Sequence, residues 1–381
     1  MRLSVPTVFL TIAGMLATAP ATEATPQFAR QLRVACSFCH SAPPRLNEQG
    51  LRFLLAGYQF EGRTVSGTVP LAVWNTFDLE ARHSADLTKG YPSRVELISA
   101  GRIGESSAVY FAEWRLLSQS IGGNARLLDR SGRFEDLFIN VPLTSRGTFA
   151  VTAGQFRALT QVDVSQRLSI SEPLVFSSGL AGERALTTRL TGLRSFSASG
   201  RQPAARIEYR RTQESPTQGW FVAATVPLTG EFTVPFTDAA SFEFEAQPKG
   251  VFIEAYRRRG LTTLGGHVFV GNEERRLATA VATYHFTERL SLLGAIGRFH
   301  AAGGADTRFS AGGEFTVTPQ LVGGMRVDHR TTLGRDPGVL LYGNVHLPFG
   351  PAFFRQAIRV QVEQRIEPSN HVTGVALSHI F

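Results

Sequence analysis

Cysteine, methionine and charge are scarce in this sequence. Its two cysteines, Cys36 and Cys39, lie three positions apart, so neither a disulfide framework nor a four-cysteine zinc site can be built from them. Charged residues make up 18% of the 381 positions, below the roughly 25% of ordinary soluble domains, which argues against a typical cytoplasmic enzyme. Disorder is excluded too, because it needs high net charge and few aromatics, whereas this chain is 43% hydrophobic and holds 28 Phe. No segment beyond the N-terminus supplies the ~18 consecutive apolar residues of a spanning helix. The net charge of +8 is spread along the chain with no basic tail, so nucleic acid is not an expected partner.

What is present begins with an export pattern. Residues 1–21 carry an early positive charge at Arg2, an apolar stretch from Val5 to Leu16, and a small-x-small site at Ala19-Pro20-Ala21. That order predicts a cleaved signal peptide and a mature chain outside the cytoplasm. The rest divides into two unlike parts, 22–68 and 69–381. From Pro26 to about Tyr58 the apolar residues Phe28, Leu32, Ala35, Cys36 and Cys39 recur at three- and four-residue steps, which predicts a helix ending at Pro43-Pro44. A second helical stretch runs from Leu46 through Leu51, Phe53 and Leu54.

From about Val69 the period changes to two. Arg206-Ile207-Glu208-Tyr209-Arg210 and Arg359-Val360-Gln361-Val362-Glu363 alternate strictly, and Tyr110, Ala112 and Trp114 share one face. Such segments are strands with one apolar and one polar side. Turn clusters such as Gly122-Gly123-Asn124 and Gly271-Asn272 separate them. At roughly 18–20 residues per strand and connection, residues 69–381 make about sixteen strands. A soluble sandwich or propeller would use the same alternation. Export, the apolar/charged division of faces, and a last strand from His371 to Phe381 favour a closed all-β transmembrane barrel of antiparallel strands, with lipid outside and water inside.

The chemistry sits in Cys36-Ser37-Phe38-Cys39-His40. Two thiols one turn apart can add to the two vinyl groups of one haem, and the adjacent histidine can then bind the iron; C-x-x-C-H is the c-type attachment pattern. A thioredoxin-like redox pair needs a βαβ setting that is missing here. A local disulfide, or a zinc site completed by histidines, uses the same residues. The expected cofactor is one covalently attached haem c, with Cys36, Cys39 and His40 as its binding residues and His40 as iron ligand. The sole mature methionine, Met325, falls in a strand pattern and is expected to face lipid. Other candidates for the second axial position are the histidines at 83, 267, 285, 300, 329, 346, 371 and 379. A helical part of this size buries little by itself, so it is expected to dock in the mouth or interior of the barrel, where a sixteen-stranded wall leaves room. Arg30, Arg33, Arg45 and Arg52 crowd this segment. They suit either haem propionates or a solvated basic face.

The stretch Pro26-Gln27-Phe28-Ala29-Arg30-Gln31, then Cys36-x-x-Cys39-His40, Pro44-x-Leu46, Gly50-x-x-Phe53 and Gly57-Tyr58, closely resembles the fused cytochrome–porin family, whose best-known members are outer-membrane c-type cytochromes of iron-oxidising bacteria. The family commonly has a basic residue directly after the glycine at 50; here Leu51 stands there and Arg52 follows. The resemblance implies a short monohaem segment joined to an outer-membrane barrel. It also implies electron transfer from extracellular Fe(II), or another reductant, to a periplasmic carrier such as a cytochrome or cupredoxin. The same residues allow an alternative: a porin whose haem-bearing segment is a plug or sensor, without iron oxidation.

Overall fold

The structure is a computed structural model. It describes residues 26–32, 34, 36–42, 45–55, 71–82, 87–104, 106–121, 127–129, 132–144, 148–157, 175, 201–212, 218–227, 250–271, 276–285, 287, 289–301, 304–318, 320–331, 338–349, 356–367 and 370–380. The expected signal peptide and the terminal Phe381 lie outside them.

The strands β3 (Leu71–Arg82), β4 (Leu87–Arg102), β5 (Val109–Ile121), β6 (Leu127–Asp129), β7 (Arg133–Pro142), β8 (Phe149–Arg157), β9 (Arg201–Thr212), β10 (Gln218–Pro227), β11 (Gly250–Arg259) and β12 (Thr262–Gly271) form the first part of one sheet. It continues through β13 (Arg276–His285), β14 (Leu290–Ala301), β15 (Gly304–Thr318), β16 (Leu321–Arg330), β17 (Gly338–Phe349), β18 (Gln356–Glu367) and β19 (Asn370–Ile380). Each pairs antiparallel with its neighbours, and β19 pairs with β3, closing the sheet into a barrel. Of the seventeen strands in the ring, β6 pairs with the far end of β5 while β7 pairs with its near end. The two therefore form one interrupted stave, and the barrel has sixteen staves, the number the strand spacing predicts.

The alternation read in the sequence sets which side chain points where. On β9, Arg206 and Glu208 are 7% and 2% exposed while Ile207 between them is 52% exposed. On β11, Glu254 and Arg258 point inward and Val251 and Ile253 outward. Trp220, Leu264, Val268, Ile296, Leu341 and Leu377 are all exposed on the outer surface. A soluble sandwich would bury these and expose the charges. Apolar outside and charged inside is the polarity of a barrel surrounded by lipid. Met325 follows the rule, at 51% exposure on the outer face. The inward charges pair with one another. Glu208 accepts from Asn140 Nδ2 at 2.8 Å and is held between Arg206 and Arg210, while Arg326 meets Asp328 at 2.9 Å.

The chain enters at Leu71 and leaves at Ile380 on the same rim. Short turns lie there, including Gly260-Leu261, where Gly260 has φ 61°, and the turn at Gln320. The connections 158–200 and 228–249 join strand ends at the opposite rim and, apart from Val175, are not among the described residues.

Candidate functional site

Ahead of the barrel, α1 (Pro26–Leu32) and α2 (Glu48–Leu55) bracket a 3₁₀ turn at Cys36–Phe38 and a small hairpin of β1 (His40–Ala42) and β2 (Arg45–Leu46). The helices close on each other through Phe28 and Phe53, edge to face with centroids 5.0 Å apart. Leu32 and Phe53 are buried beneath that contact. The segment is thus a small apolar cluster with the cysteine motif on its connecting loop.

Asn47 organises that loop. Its side-chain oxygen accepts from the backbone N–H groups of Gln49 and Gly50, both at 3.0 Å, which caps α2. Its Nδ2 donates to the carbonyls of Ser37 and Phe38 at 3.0 and 3.1 Å, and its backbone N–H donates to the Cys39 carbonyl at 2.9 Å. Three successive carbonyls of the cysteine motif therefore accept hydrogen bonds from Asn47. That corrects one expectation: the three-and-four spacing predicts a continuous helix through Cys39, but α1 stops at Leu32. α1 closes with a bond from the Val34 N–H to the Ala29 carbonyl at 3.0 Å, five residues back, and the carbonyls that Asn47 takes bar helix only from residue 41 onward. The 3₁₀ turn Cys36–Phe38 leads directly into Cys39 and the β1 strand that opens at His40. Gly50 lets α2 approach closely, because a Cβ there would lie 2.1 Å from the Cys39 carbonyl oxygen.

Two side chains fasten this segment inside the barrel. Gln31, 2% exposed, donates through Nε2 to the Ala100 carbonyl of β4 at 2.8 Å, and α1 packs against β3 and β4. On the far side Arg45 ion-pairs with Glu314 on β15, and donates to Ser291 Oγ on β14 at 2.5 Å and to Thr316 Oγ1 at 3.4 Å. Glu314 accepts in addition from Tyr342 Oη of β17 at 2.9 Å. Strands β4 and β14 stand seven places apart in the sixteen-stave ring. Ala100, Ser291 and Thr316 all lie within three residues of strand ends at the rim where the barrel starts and stops. The segment is a plug that crosses that mouth almost diametrically. The docking expected from its size is observed, and Arg45 is not on a solvated basic face: it is buried as the plug's anchor.

The motif residues come together here. His40 pairs with Leu46 across the small hairpin, next to the pairing of Ala42 with Arg45, and Cys39 and His40 are half-buried. The Cys39 thiol is free of any disulfide. Burial pushes it from its usual 9.0 up to about 11. Among the described residues, Cys39 and His40 belong to no group of three or more metal-binding side chains. A half-buried Cys39 thiol free of any disulfide and the adjoining half-buried His40 are residue types that suit a covalently held haem.

Sequence reasoning missed a second cluster. Glu96 on β4, Glu113 on β5 and Glu135 on β7 are all buried, with one carboxylate oxygen from each lying within 4.8 Å of the others. Arg94 approaches Glu96 at 3.2 Å, and Arg115 meets Glu135 at 2.7 Å and Glu96 at 3.8 Å. Three carboxylates and two guanidiniums make an ion network in the wall above α1. Alternation marks each glutamate as inward-facing, but only the register across three strands brings them together.

No protein family and no curated protein matches the sequence. Solved structures do match in fold. The OmpF porin of Salmonella typhi, in complex with daunomycin, is 9% identical with a TM-score of 0.53, over 82% of this chain and 97% of that one. An engineered porin of Rh. blastica is 10% identical with a TM-score of 0.50, over 82% of this chain and all of that one. The fold is that of a porin-type antiparallel barrel.

Proposed function

We propose that this protein is an outer-membrane c-type cytochrome–porin that carries electrons across the outer membrane. In this reading extracellular Fe(II) is the donor and a periplasmic cytochrome or cupredoxin the acceptor. The observation that carries it is the placement of Cys39 and His40 on a plug within a porin-type barrel, in a loop held by Asn47 and anchored by Arg45 and Gln31. Covalently bound haem supplies a one-electron couple, and the protein sets its position, ligation and exposure.

The chain's own residues have defined tasks. Cys36 and Cys39 would tether the group, and His40 would bind its iron. Asn47 fixes the turn that presents them. The plug places them at the rim with the short turns, the periplasmic side of such barrels, within reach of a soluble carrier. The donor loses one electron and the carrier gains it, so no acid–base group is required. Inward charges on the wall give a polar route from the far rim.

Purified protein from a host that matures c-type cytochromes tests this. Its haem bands should shift to the reduced form on addition of Fe²⁺ under anaerobic conditions. A haem protein that Fe²⁺ does not reduce at any pH, while dithionite does, would contradict the iron assignment.

A further inference from the structure

One buried side chain in the barrel has no partner for its chemistry. His346 stands on β17, 5% exposed, on the inward face it shares with Leu340, Tyr342 and Asn344. Its backbone N–H donates to the Gln320 carbonyl at 2.8 Å. Neither ring nitrogen, Nδ1 or Nε2, has a hydrogen-bond partner. A buried polar group left unmet costs about 1–3 kcal/mol, so an imidazole with both nitrogens unmet calls for a ligand.

The other histidines are placed differently. His267 is engaged in other contacts, His329 stacks on Phe309 at 4.8 Å, and His300 is exposed. His346 is the one buried histidine with both nitrogens unmatched among those whose side chains are described. Met325 points outward into the apolar surroundings.

Its position relates it to the plug. The plug touches the ring at β3 and β4 through α1 and at β14 and β15 through Arg45. Strand β17 lies on the shorter arc between those two anchors. Thr316, which Arg45 reaches, aligns through Val322 with Asn344, and His346 is the next inward position toward the rim. His346 therefore lies one inward position rimward of the register line at which Arg45 reaches the wall. On the same arc the Trp74 Nε1 of β3 is buried without an acceptor, and the Arg359 guanidinium lies 5.4 Å from the Trp74 ring centroid. A donor and a cation side by side suit the carboxylates of haem propionates.

We infer that His346 is the second axial ligand of the haem tethered at Cys36 and Cys39, making the plug and the barrel wall two halves of one site. The inference rests on the haem reading above. Neutral imidazole is a common metal ligand, and binding there would satisfy one of the two unmet nitrogens.

Full-length, haem-loaded wild type tests it, beside His346→Ala, His346→Gln and His329→Ala, using electron paramagnetic resonance of the ferric state and haem content by pyridine haemochrome. The expected wild-type signal is low-spin with two imidazoles. Both His346 variants should keep wild-type amounts of covalent haem, lose the low-spin signal for a high-spin one, and regain it when free imidazole is added. His329→Ala should stay low-spin. A wild type that is high-spin, or a low-spin bis-imidazole signal that survives in either His346 variant, overturns the inference while leaving the haem reading intact. Absence of covalent haem from every protein overturns the haem reading itself.

Discussion

Arg45 and Glu314, 269 positions apart in the chain, form an ion pair that ties the N-terminal plug to the barrel wall. The pair is partly shielded, with side-chain exposures of 11% and 24%, and Ser291, Thr316 and Tyr342 complete its hydrogen bonds. Such a contact does more than surface pairs, which contribute roughly 0–1 kcal/mol, because removing one partner leaves the other charge poorly solvated.

Arg45→Ala should therefore weaken plug docking by about 2 kcal/mol. At 1.4 kcal/mol per tenfold, the undocked fraction would rise about thirtyfold. Single-channel recording in planar bilayers would show more frequent and larger openings than wild type. Unchanged conductance would mean the plug does not depend on this anchor.

Asn47 can be dissected because its two side-chain atoms do different things. Asn47→Asp keeps an oxygen for the Gln49 and Gly50 amides but loses the donor to Ser37 and Phe38. Asn47→Ala loses both, with the cap alone worth about 1 kcal/mol. Hydrogen exchange should show the Gln49 and Gly50 amides protected in Asn47→Asp and unprotected in Asn47→Ala. Equal protection in both would exclude the cap.

Gly50→Ala places a methyl where the Cys39 carbonyl oxygen stands, 2.1 Å from the ideal Cβ. Either α2 or the cysteine turn must shift, at about 1–3 kcal/mol for overpacking. The haem-stained fraction of the protein should fall below wild type. Normal haem incorporation would show that the turn yields at no cost.

The Cys39 thiol gives a pH prediction for protein made without haem. Its folded value of about 11 lies above the ordinary 9.0 because burial disfavours the thiolate. A group whose value is raised in the folded state stabilises it fully below the unfolded value and loses that contribution as pH rises through the folded value. Plug docking should be insensitive to Cys39 ionisation below pH 9 and weaken between 9 and 11. Iodoacetamide at pH 8 should label Cys39 much more slowly in folded than in urea-unfolded protein. Equal rates would contradict burial.

Arg115→Ala should remove the closest cation of Glu135 and leave Arg94, 3.2 Å from Glu96 and 4.0 Å from Glu135, as the one shared guanidinium of the network described. Breaking a buried pair costs about 3–5 kcal/mol. The temperature at which the compact, fast-migrating band converts to the unfolded form on gels should fall clearly. No change would mean that the glutamates are protonated or otherwise matched.

The barrel was legible because its signal is repeated along the chain. Each alternation such as Arg206-Ile207-Glu208 fixes facing independently of the rest, and lipid outside forces that pattern to be strict. The cysteine motif was legible as a pattern because it is local, confined to Cys36 through His40. Its secondary structure was not. The apolar spacing of Phe28, Leu32, Ala35 and Cys39 predicts one long helix, whereas α1 closes at Leu32 with the Val34-to-Ala29 bond and Asn47, eight positions beyond Cys39, ties the Ser37, Phe38 and Cys39 carbonyls into a turn. The same limit hid Arg45's partner and the Glu96–Glu113–Glu135 cluster, since both depend on strand register and on a docking that joins residues far apart in sequence. One sequence-level signal for Asn47 existed: an Asn just before a helical stretch is a strong N-cap residue.

The central claim is that Cys36 and Cys39 hold one haem on a plug sheltered by the barrel. Its most direct test is the mass and pyridine-haemochrome spectrum of the detergent-purified full-length protein, expressed with c-type maturation, beside Cys36→Ala/Cys39→Ala. One haem per chain with the thioether-type spectrum, surviving denaturation in the wild type and absent from the double variant, is the predicted result. A colourless wild type, or a haem that denaturation strips away, would contradict it.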